Sequence, residues 1–326
     1  MSINYFLLII TTLYQAFASW QEDQQSPPGQ LIDLGGYQLH FYTLGEKNSS
    51  LPTIILDHSL GGLDGYFLIE ELSKLTQVFI YDRAGYGWSD QSPYPRNSEQ
   101  IVKELNTLLT QAEIEPPYIL IGDSFGSYNV RLYAHQFPQK VVGIILTDAL
   151  YEQEMLKMSI LLQALKLFFL SGFVMSILGS ILGLIRVLRV LKVFELLKPE
   201  LKYVPQDSLN WVKRSFCRPK HWITMMREMV HLDQSARQVI VADNFGSLPI
   251  ISIKADSFFK PSFLTIFIPL KGANKLREKM HIKLLNLSTN CLQVEANKSG
   301  HFVWIDEPNI IINAAKIMIE KITISR

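Results

Sequence analysis

Short apolar runs alternate with segments of helical periodicity along most of this 326-residue chain, and this alternation limits the fold more than any other feature. Strands alternating with helices form a mostly parallel sheet that helices cover on both faces. Ligands of such sheets bind at the carboxyl ends of the strands. The predicted strands are Thr53–Leu56, Val78–Tyr81, Tyr118–Ile121, Val141–Leu146, Ile250–Ile253 and Leu292–Glu295, and the predicted helices are Phe67–Leu75, Ser98–Gln111, Phe125–Phe137 and Asn309–Ile322.

Two further runs precede this alternating region. Leu31–Leu34 and Tyr37–Leu44 have strand composition, and Gly35-Gly36 between them predicts a hairpin turn. The segment from about Tyr151 to Ser247 interrupts the strand pattern. We therefore predict a cap inserted between two strands of one sheet.

The motif Gly122-Asp123-Ser124-Phe125-Gly126 lies directly after one predicted strand and directly before a helix. A serine on a tight strand-to-helix turn is held with its hydroxyl exposed, and the following helix N-terminus favours developing negative charge. A helix-capping serine is the structural alternative. The two flanking elements favour Ser124 as a nucleophile.

A serine nucleophile needs a base, an orienting acid and donors for the oxyanion. His301 follows the last predicted strand and is the expected base. Asp256 and Asp148 both follow strands and both satisfy the chain order Ser, Asp, His, and we prefer Asp256. Backbone N–H groups of Leu60 and Phe125 are the expected oxyanion donors.

Two long apolar segments bear on location. Ile3 to Trp20 has no charge, and Ala16-Phe17-Ala18 has signal-peptidase spacing, so residues 1–20 are predicted to be a cleaved signal peptide or a membrane anchor. Either places the protein outside the cytosol or on a membrane. Residues 21–30 are predicted to be a linker, and residues 31–326 the main domain with a helical cap at 151–247.

Leu167 to Ile185 is the second segment, and its length would suit a transmembrane helix. A single crossing would separate strands that belong to one sheet, so we predict an apolar lid that packs on the core or touches a membrane. Arg186, Arg189 and Lys192 share a helix face. Contact with anionic headgroups and a solvated basic face are both open interpretations.

Composition excludes several classes of function. The formal net charge of +1 gives no field for nucleic acid. The two cysteines, Cys217 and Cys291, form neither a disulfide framework nor a zinc-ligand cluster. We therefore expect no nucleic-acid partner, no metal and no cofactor.

With these residues in view, the chain resembles the α/β-hydrolase superfamily, in particular its single-domain serine hydrolases with a helical cap. Tyr81-Asp82-Arg83-Ala84-Gly85-Tyr86-Gly87-Trp88-Ser89-Asp90 resembles the family's loop after the fourth strand, where Asp82 and Arg83 look structural. The resemblance implies an eight-stranded, mostly parallel sheet. It also implies that Ser124 excludes the dehalogenase and epoxide-hydrolase chemistries of this fold, which use an aspartate nucleophile.

There are departures from the family pattern. His58-Ser59 stands where many members have His-Gly, and Asp123 stands where many have histidine. The side chain of Asp123 is expected to point away from the pocket. The segment Phe258 to Leu270 is unusually apolar and is a candidate addition to the lid.

The sequence thus predicts a serine hydrolase that cleaves a carboxylic ester of an apolar, lipid-like acyl group through Ser124, His301 and Asp256. The expected partners are a small ester substrate and a membrane surface contacted through the N-terminal segment or the cap. A non-catalytic ligand-binding protein of this fold and an iminopeptidase-like peptidase are the alternatives.

Overall fold

The computed structural model describes residues 3–48, 50–258 and 270–324. Its centre is a sheet of eight strands in the order β1-β2-β4-β3-β5-β6-β7-β8. The pairs β1/β2 and β2/β4 are antiparallel and all others are parallel. The strands are β1 (Gln30–Asp33), β2 (Gln38–Leu44), β3 (Thr53–Asp57), β4 (Val78–Tyr81), β5 (Tyr118–Asp123), β6 (Val141–Thr147), β7 (Ile250–Ala255) and β8 (Cys291–Ala296).

Helices cover both faces of this sheet, as the sequence predicts. The helices are α1 (Ile3–Asp23), α2 (Gly65–Leu72), α3 (Ser98–Gln111), α4 (Gly126–Gln136), α5 (Glu152–Leu156), α6 (Ile160–Ile181), α7 (Leu184–Val190), α8 (Val193–Leu197), α9 (Gln206–Phe216), α10 (Pro219–Val230), α11 (Leu232–Val239), α12 (Leu270–Leu284), α13 (Val303–Asp306) and α14 (Pro308–Ile324). One buried cluster includes residues of α3, α4 and α11, and a second includes residues of α2 and α14.

The central strands β3, β4 and β5 are mostly apolar because both faces of the sheet are buried there. All residues of β3, β4 and β5 are buried. The β1–β2 turn is the predicted Gly35-Gly36 hairpin, in which both glycines have positive φ and both N–H groups donate to Asp33 Oδ1. The eight-stranded α/β-hydrolase fold expected from the resemblance is confirmed.

Helices α5 to α11 lie between β6 and β7. These two strands are parallel hydrogen-bonded neighbours, with Ile144 paired to Ile250, so the inserted helices leave the carboxyl edge of the sheet and the chain returns to its amino edge. Within the described part of the chain, α6 is the one helix long and apolar enough to cross a membrane, with a mean hydropathy of 1.9 and 11% burial of its most apolar window. The pairing of β6 and β7 excludes a single crossing by α6.

The N-terminal segment is a single helix that passes through the predicted cleavage point after Ala18. It continues to Asp23, so the first residues of the predicted linker are helical. Its second half contacts the cap: Arg186 donates to Gln15 (2.7 Å) and Glu22 (2.6 Å). The apolar segment Phe258 to Leu270 lies almost entirely outside the described residues.

Candidate active site

Ser124 lies on the tight turn between β5 and α4. Its φ of 47° is the strained left-handed conformation expected for an exposed nucleophile. A Cβ on Gly122 would lie 2.5 Å from Val130 Cγ2, and one on Gly126 would overlap the Asp57 carbonyl oxygen. The two glycines of the motif are therefore required by close packing, and the hydroxyl of Ser124 is directed into a cavity.

His301 is placed as a base for Ser124, in the loop between β8 and α13. Its Nε2 lies 2.9 Å from Ser124 Oγ, and its Nδ1 lies 2.5 Å from Asp148 Oδ2. A carboxylate at Nδ1 favours the tautomer with its proton on Nδ1, which leaves the Nε2 lone pair free to accept the serine proton.

The orienting acid in the structure is Asp148, which corrects the preference for Asp256. Asp148 follows β6, the strand next to β5, and is buried with φ of 39°. Asp256 is exposed, and its N–H donates to the carbonyls of Ala296 and Ser299. Asp256 thus shapes the loop that carries His301, while Asp148 contacts the imidazole itself. Chain order alone could not separate the two, because both precede His301.

A cluster of donors surrounds Asp148. Arg277 contacts both carboxylate oxygens, with Nε at 3.1 Å from Oδ2, and His281 Nε2 lies 3.1 Å from Oδ1. Burial by itself would raise the pKa of Asp148. The hydrogen bonds from His281 and His301 and the electrostatic interactions with His301 and Arg277 outweigh burial and hold that pKa well below its usual range. Asp148 is therefore ionised at neutral pH.

Sequence reasoning missed Arg277 and His281. They are four residues apart on α12, which places both on one face of that helix. That spacing was the available signal, but no strand-end pattern connects α12 with the acid after β6.

The described residues contain no group of three or more potential metal ligands.

Leu60 and Phe125 lie beside Ser124 and line the same cavity. No acceptor within the described residues is assigned to the backbone N–H of either one. The neighbouring N–H groups are engaged, since Ser59 donates to Asp64 (3.0 Å) and Gly61 to the Tyr86 hydroxyl (3.2 Å). Donation by the N–H groups of Leu60 and Phe125 to an oxyanion stays a prediction.

Arg83 supports this loop from below. Its guanidinium donates to Asp57 Oδ1 (2.8 Å), to the carbonyls of His58 and Ser59, and to Glu228 of α10 (2.8 Å). All three charged groups are buried. The structural role that the resemblance implied for Arg83 thus extends to the cap, because Arg83 joins the oxyanion loop to α10.

Asp123 does not line the cavity, in keeping with the expected orientation of its side chain. Burial is the largest cause that raises its pKa well above the usual range, followed by the negative charges of Asp64 and Asp148. The raised pKa favours the protonated form of Asp123, which carries no negative charge beside the carboxyl groups of Asp64 and Asp148.

Two apolar chambers meet at Ser59 and Leu60. The first has a volume of about 430 Å³ and contains Ser124 and His301. The second has a volume of about 440 Å³ and lies toward α8, α9 and α13. Pockets of this size suit small organic ligands. Lys166 and Arg277 are the residues with a fixed charge among the described side chains of the first chamber. The apolar part of the lining includes Met155, Met158, Leu162, Leu165, Phe169, Phe173, Met225, Met229 and Met280.

The structure combines the α/β-hydrolase fold with a serine, a histidine and an aspartate in hydrogen-bonded order. A family model described as the alpha/beta hydrolase fold matches residues 52–176. The chain has the α/β-hydrolase fold, and the family model covers the part of it from β3 into α6.

Several relatives share part of the chain. An uncharacterized protein, YqjL, of Bacillus subtilis is 34% identical over 110 residues, which are 33% of this chain and 44% of the relative. An uncharacterized vacuolar membrane protein of Saccharomyces cerevisiae is 29% identical over 140 residues (37% and 21%). A (lyso)-N-acylphosphatidylethanolamine lipase of Homo sapiens is 28% identical over 109 residues (32% and 31%). The chain spans less than half the length of the first curated relatives it matches.

Solved structures resemble the whole fold. The epoxide hydrolase CorEH has a TM-score of 0.65 at 14% identity, covering 89% of this chain and 97% of its own. The enol-lactonase of Burkholderia xenovorans LB400 has a TM-score of 0.57 at 15% identity (89% and 99%). At these identities the similarity extends to the fold alone.

Proposed function

We propose that this chain is a serine hydrolase that cleaves a carboxylic ester with apolar groups on both sides of the ester bond. The observation that carries the proposal is the hydrogen-bonded series Ser124 Oγ, His301 and Asp148, which opens into an apolar chamber. Ser124 rather than an aspartate occupies the nucleophile position, so the epoxide-hydrolase mechanism of this fold is not proposed.

The reaction has two halves. Ser124 Oγ attacks the carbonyl carbon while His301 Nε2 takes its proton, and the N–H groups of Leu60 and Phe125 stabilise the oxyanion. Collapse breaks the bond to the leaving oxygen, which takes the proton from His301. Water then attacks the acyl carbon and gives one proton to His301. Collapse breaks the bond to Ser124 Oγ, which takes that proton from His301, and the acid product leaves.

The two chambers indicate the substrate class. An ester carbonyl held beside Leu60 would direct one apolar arm into the first chamber and the other into the second. Methionines in the first chamber let the lining adapt to chains of different shape. Similarity to a lipase acting on N-acylphosphatidylethanolamines gives independent support for a lipid-like ester. The described lining of the first chamber has no carboxylate to hold a substrate amino group, and Asp64 in the second chamber is buried and accepts from the Ser59 N–H. Both observations disfavour the iminopeptidase alternative.

The test is labelling by a fluorophosphonate probe together with turnover of p-nitrophenyl esters. Wild-type chain should be labelled and should hydrolyse the esters, Ser124→Ala should do neither, and Ser247→Ala, a change at an exposed serine, should match wild type. Equal labelling of Ser124→Ala would refute the assignment. Labelling of wild type without turnover of any ester would favour the non-catalytic alternative.

A further inference from the structure

Large apolar side chains surround the N-terminal half of α1. All six consecutive residues from Tyr5 to Ile10 are exposed, from 36% to 65%. At 100° per residue these six positions cover about one and two-thirds turns, so no side of the helix is covered by protein. A flat protein partner would cover one side only, whereas a hydrocarbon phase covers all of them.

Helix α6 has two different apolar sides. Its inner side lines the first chamber through Leu162, Leu165, Phe169 and Phe173. Its outer side exposes Leu167, Phe168, Val174, Met175, Leu178 and Ile181. The wall between the chamber and the exterior is therefore a single helix thick, and both of its surfaces are largely apolar, with Lys166 on the inner side paired to Asp233.

The two helices are joined where α6 ends. A Cβ on Gly183 would overlap the Thr11 carbonyl oxygen, so α1 crosses the cap in backbone contact. Further along α1, Glu22 pairs with Arg186 (2.6 Å), Arg189 (3.0 Å) and Arg218 (3.1 Å). These contacts hold α1 to the cap by its charged end and leave its apolar end projecting.

The same ion pairs settle which groups are available to lipid headgroups. Arg186 is buried and Arg189 is engaged by Glu22, so the basic face expected at the cap is largely used within the protein. At the border between the apolar and charged parts of α1, Phe17 and Trp20 are each 60% exposed. Aromatic side chains at such a border are typical of a membrane interface.

We infer that α1 and the outer side of α6 form one membrane-docking surface, which inserts into the hydrocarbon of a phospholipid leaflet. In this arrangement α1 is not cleaved from the mature protein. Insertion stops at the ion pairs of Glu22 with Arg186, Arg189 and Arg218, because these charged groups stay outside the hydrocarbon. Together with the proposed function, it places the first chamber one helix away from the lipid from which substrate enters. Docking is driven by apolar contact rather than by anionic headgroups.

Flotation of the full chain with phosphatidylcholine vesicles tests the inference. We expect wild type to float with vesicles and binding to persist at about 0.5 M salt, where electrostatic attraction is screened. Replacing part of the phosphatidylcholine by phosphatidylglycerol should change binding less than about threefold. Failure of wild type to float, or loss of binding at high salt, would overturn the proposal.

Charge-insertion variants locate the surface. Leu167→Glu/Met175→Glu on α6 and Leu7→Glu/Leu13→Glu on α1 should each weaken vesicle binding at least about tenfold, because charges in hydrocarbon are costly. The matched control, Leu292→Glu/Ile317→Glu, changes two exposed apolar residues of β8 and α14 and should bind as wild type. Equal loss in the control would contradict the location. A dimer of wild type that both surface variants dissociate would assign the surface to a second copy instead.

Two readouts separate this inference from the proposed function. Hydrolysis of a soluble short-chain ester without vesicles should be the same in wild type and in the α6 variant, because Leu167 and Met175 do not line the chamber. A chain that binds vesicles but hydrolyses no ester would refute the function and keep the docking surface. N-terminal sequencing of protein purified from cells should begin before Ser19, and a start at Ser19 would refute retention of α1.

Discussion

The carboxylate of Asp148 accepts hydrogen bonds from four donors, and Asp148→Asn replaces one of its two oxygens by an amide nitrogen. In the wild type, the two carboxylate oxygens accept from His301, Arg277, His281 and the Ala255 N–H. An asparagine has one oxygen left, and the permanent charge of Arg277 makes it the strongest competitor for that oxygen. The amide nitrogen then faces His301 Nδ1, which forces the proton onto Nε2, where the Ser124 proton must be accepted.

We therefore expect Asp148→Asn to lower kcat by about 10³- to 10⁴-fold, equivalent to about 4–5.5 kcal/mol of transition-state stabilisation. The free energy of unfolding should also fall by about 1.5–3 kcal/mol, because Arg277 loses a charged acceptor in a buried position. The matched variant Asp256→Asn removes a charge from an exposed carboxylate that does not contact His301. Its kcat should stay within about threefold of wild type, since exposed charges have small effects.

The assay is ester turnover well below the unfolding temperature, with circular dichroism to confirm that each variant is folded and fluorophosphonate labelling rates as a second measure of Ser124 reactivity. A folded Asp148→Asn chain with near wild-type turnover would refute the reasoning. So would a large loss in Asp256→Asn alone, which would return the orienting role to Asp256.

Three further changes test other parts of the structure. Asp123→Asn should raise the free energy of unfolding at neutral pH by about 1 kcal/mol. An unfolded aspartate loses its proton above about pH 3.9, whereas folded Asp123 keeps its proton there. The free energy of unfolding of the wild type therefore falls as pH rises above about 3.9. Urea unfolding at several pH values should show a weaker dependence of this free energy on pH for Asp123→Asn. Leu165→Trp should fill the space of about two methylene groups in the first chamber. The ratio of kcat/KM for an octanoate ester to kcat/KM for an acetate ester should therefore fall about fifteenfold. An unchanged ratio would mean that the acyl group binds elsewhere. Arg83→Met should lower the free energy of unfolding by about 3–5 kcal/mol, because Asp57 and Glu228 would stay buried without their cation. Thermal unfolding measures this loss. The control Glu71→Gln breaks an exposed ion pair and should lower the free energy of unfolding by less than about 1 kcal/mol.

The parts of the fold that depend on local pattern were predictable from the sequence. The predicted helix Ser98–Gln111 has the same first and last residues as α3 in the structure. The apolar residues of this segment are spaced to form one buried face, and Asn97 caps the first turn of the helix. The nucleophile was predictable for the same reason, since the strand, turn and helix around Ser124 are continuous in the chain.

The parts that depend on contacts between distant residues were not predictable. The choice between Asp148 and Asp256 depends on which strand end faces His301, and both aspartates satisfy the same chain order. The N-terminal helix has the composition of a signal peptide, but its charged end is held by Arg186, 164 residues away. Nothing in the local sequence of either segment indicates that pairing.

The two-sided construction of α6 has a consequence for how this chain can change over evolutionary time. Positions 162, 165, 169 and 173 face the chamber, while positions 167, 174, 175 and 178 face outward. Under the proposed function and the proposed docking surface, substitutions in the first set would alter which acyl groups fit, and substitutions in the second set would alter binding to the membrane. Relatives with the same triad could therefore diverge in substrate while keeping their location, or move to a new location with their substrate unchanged.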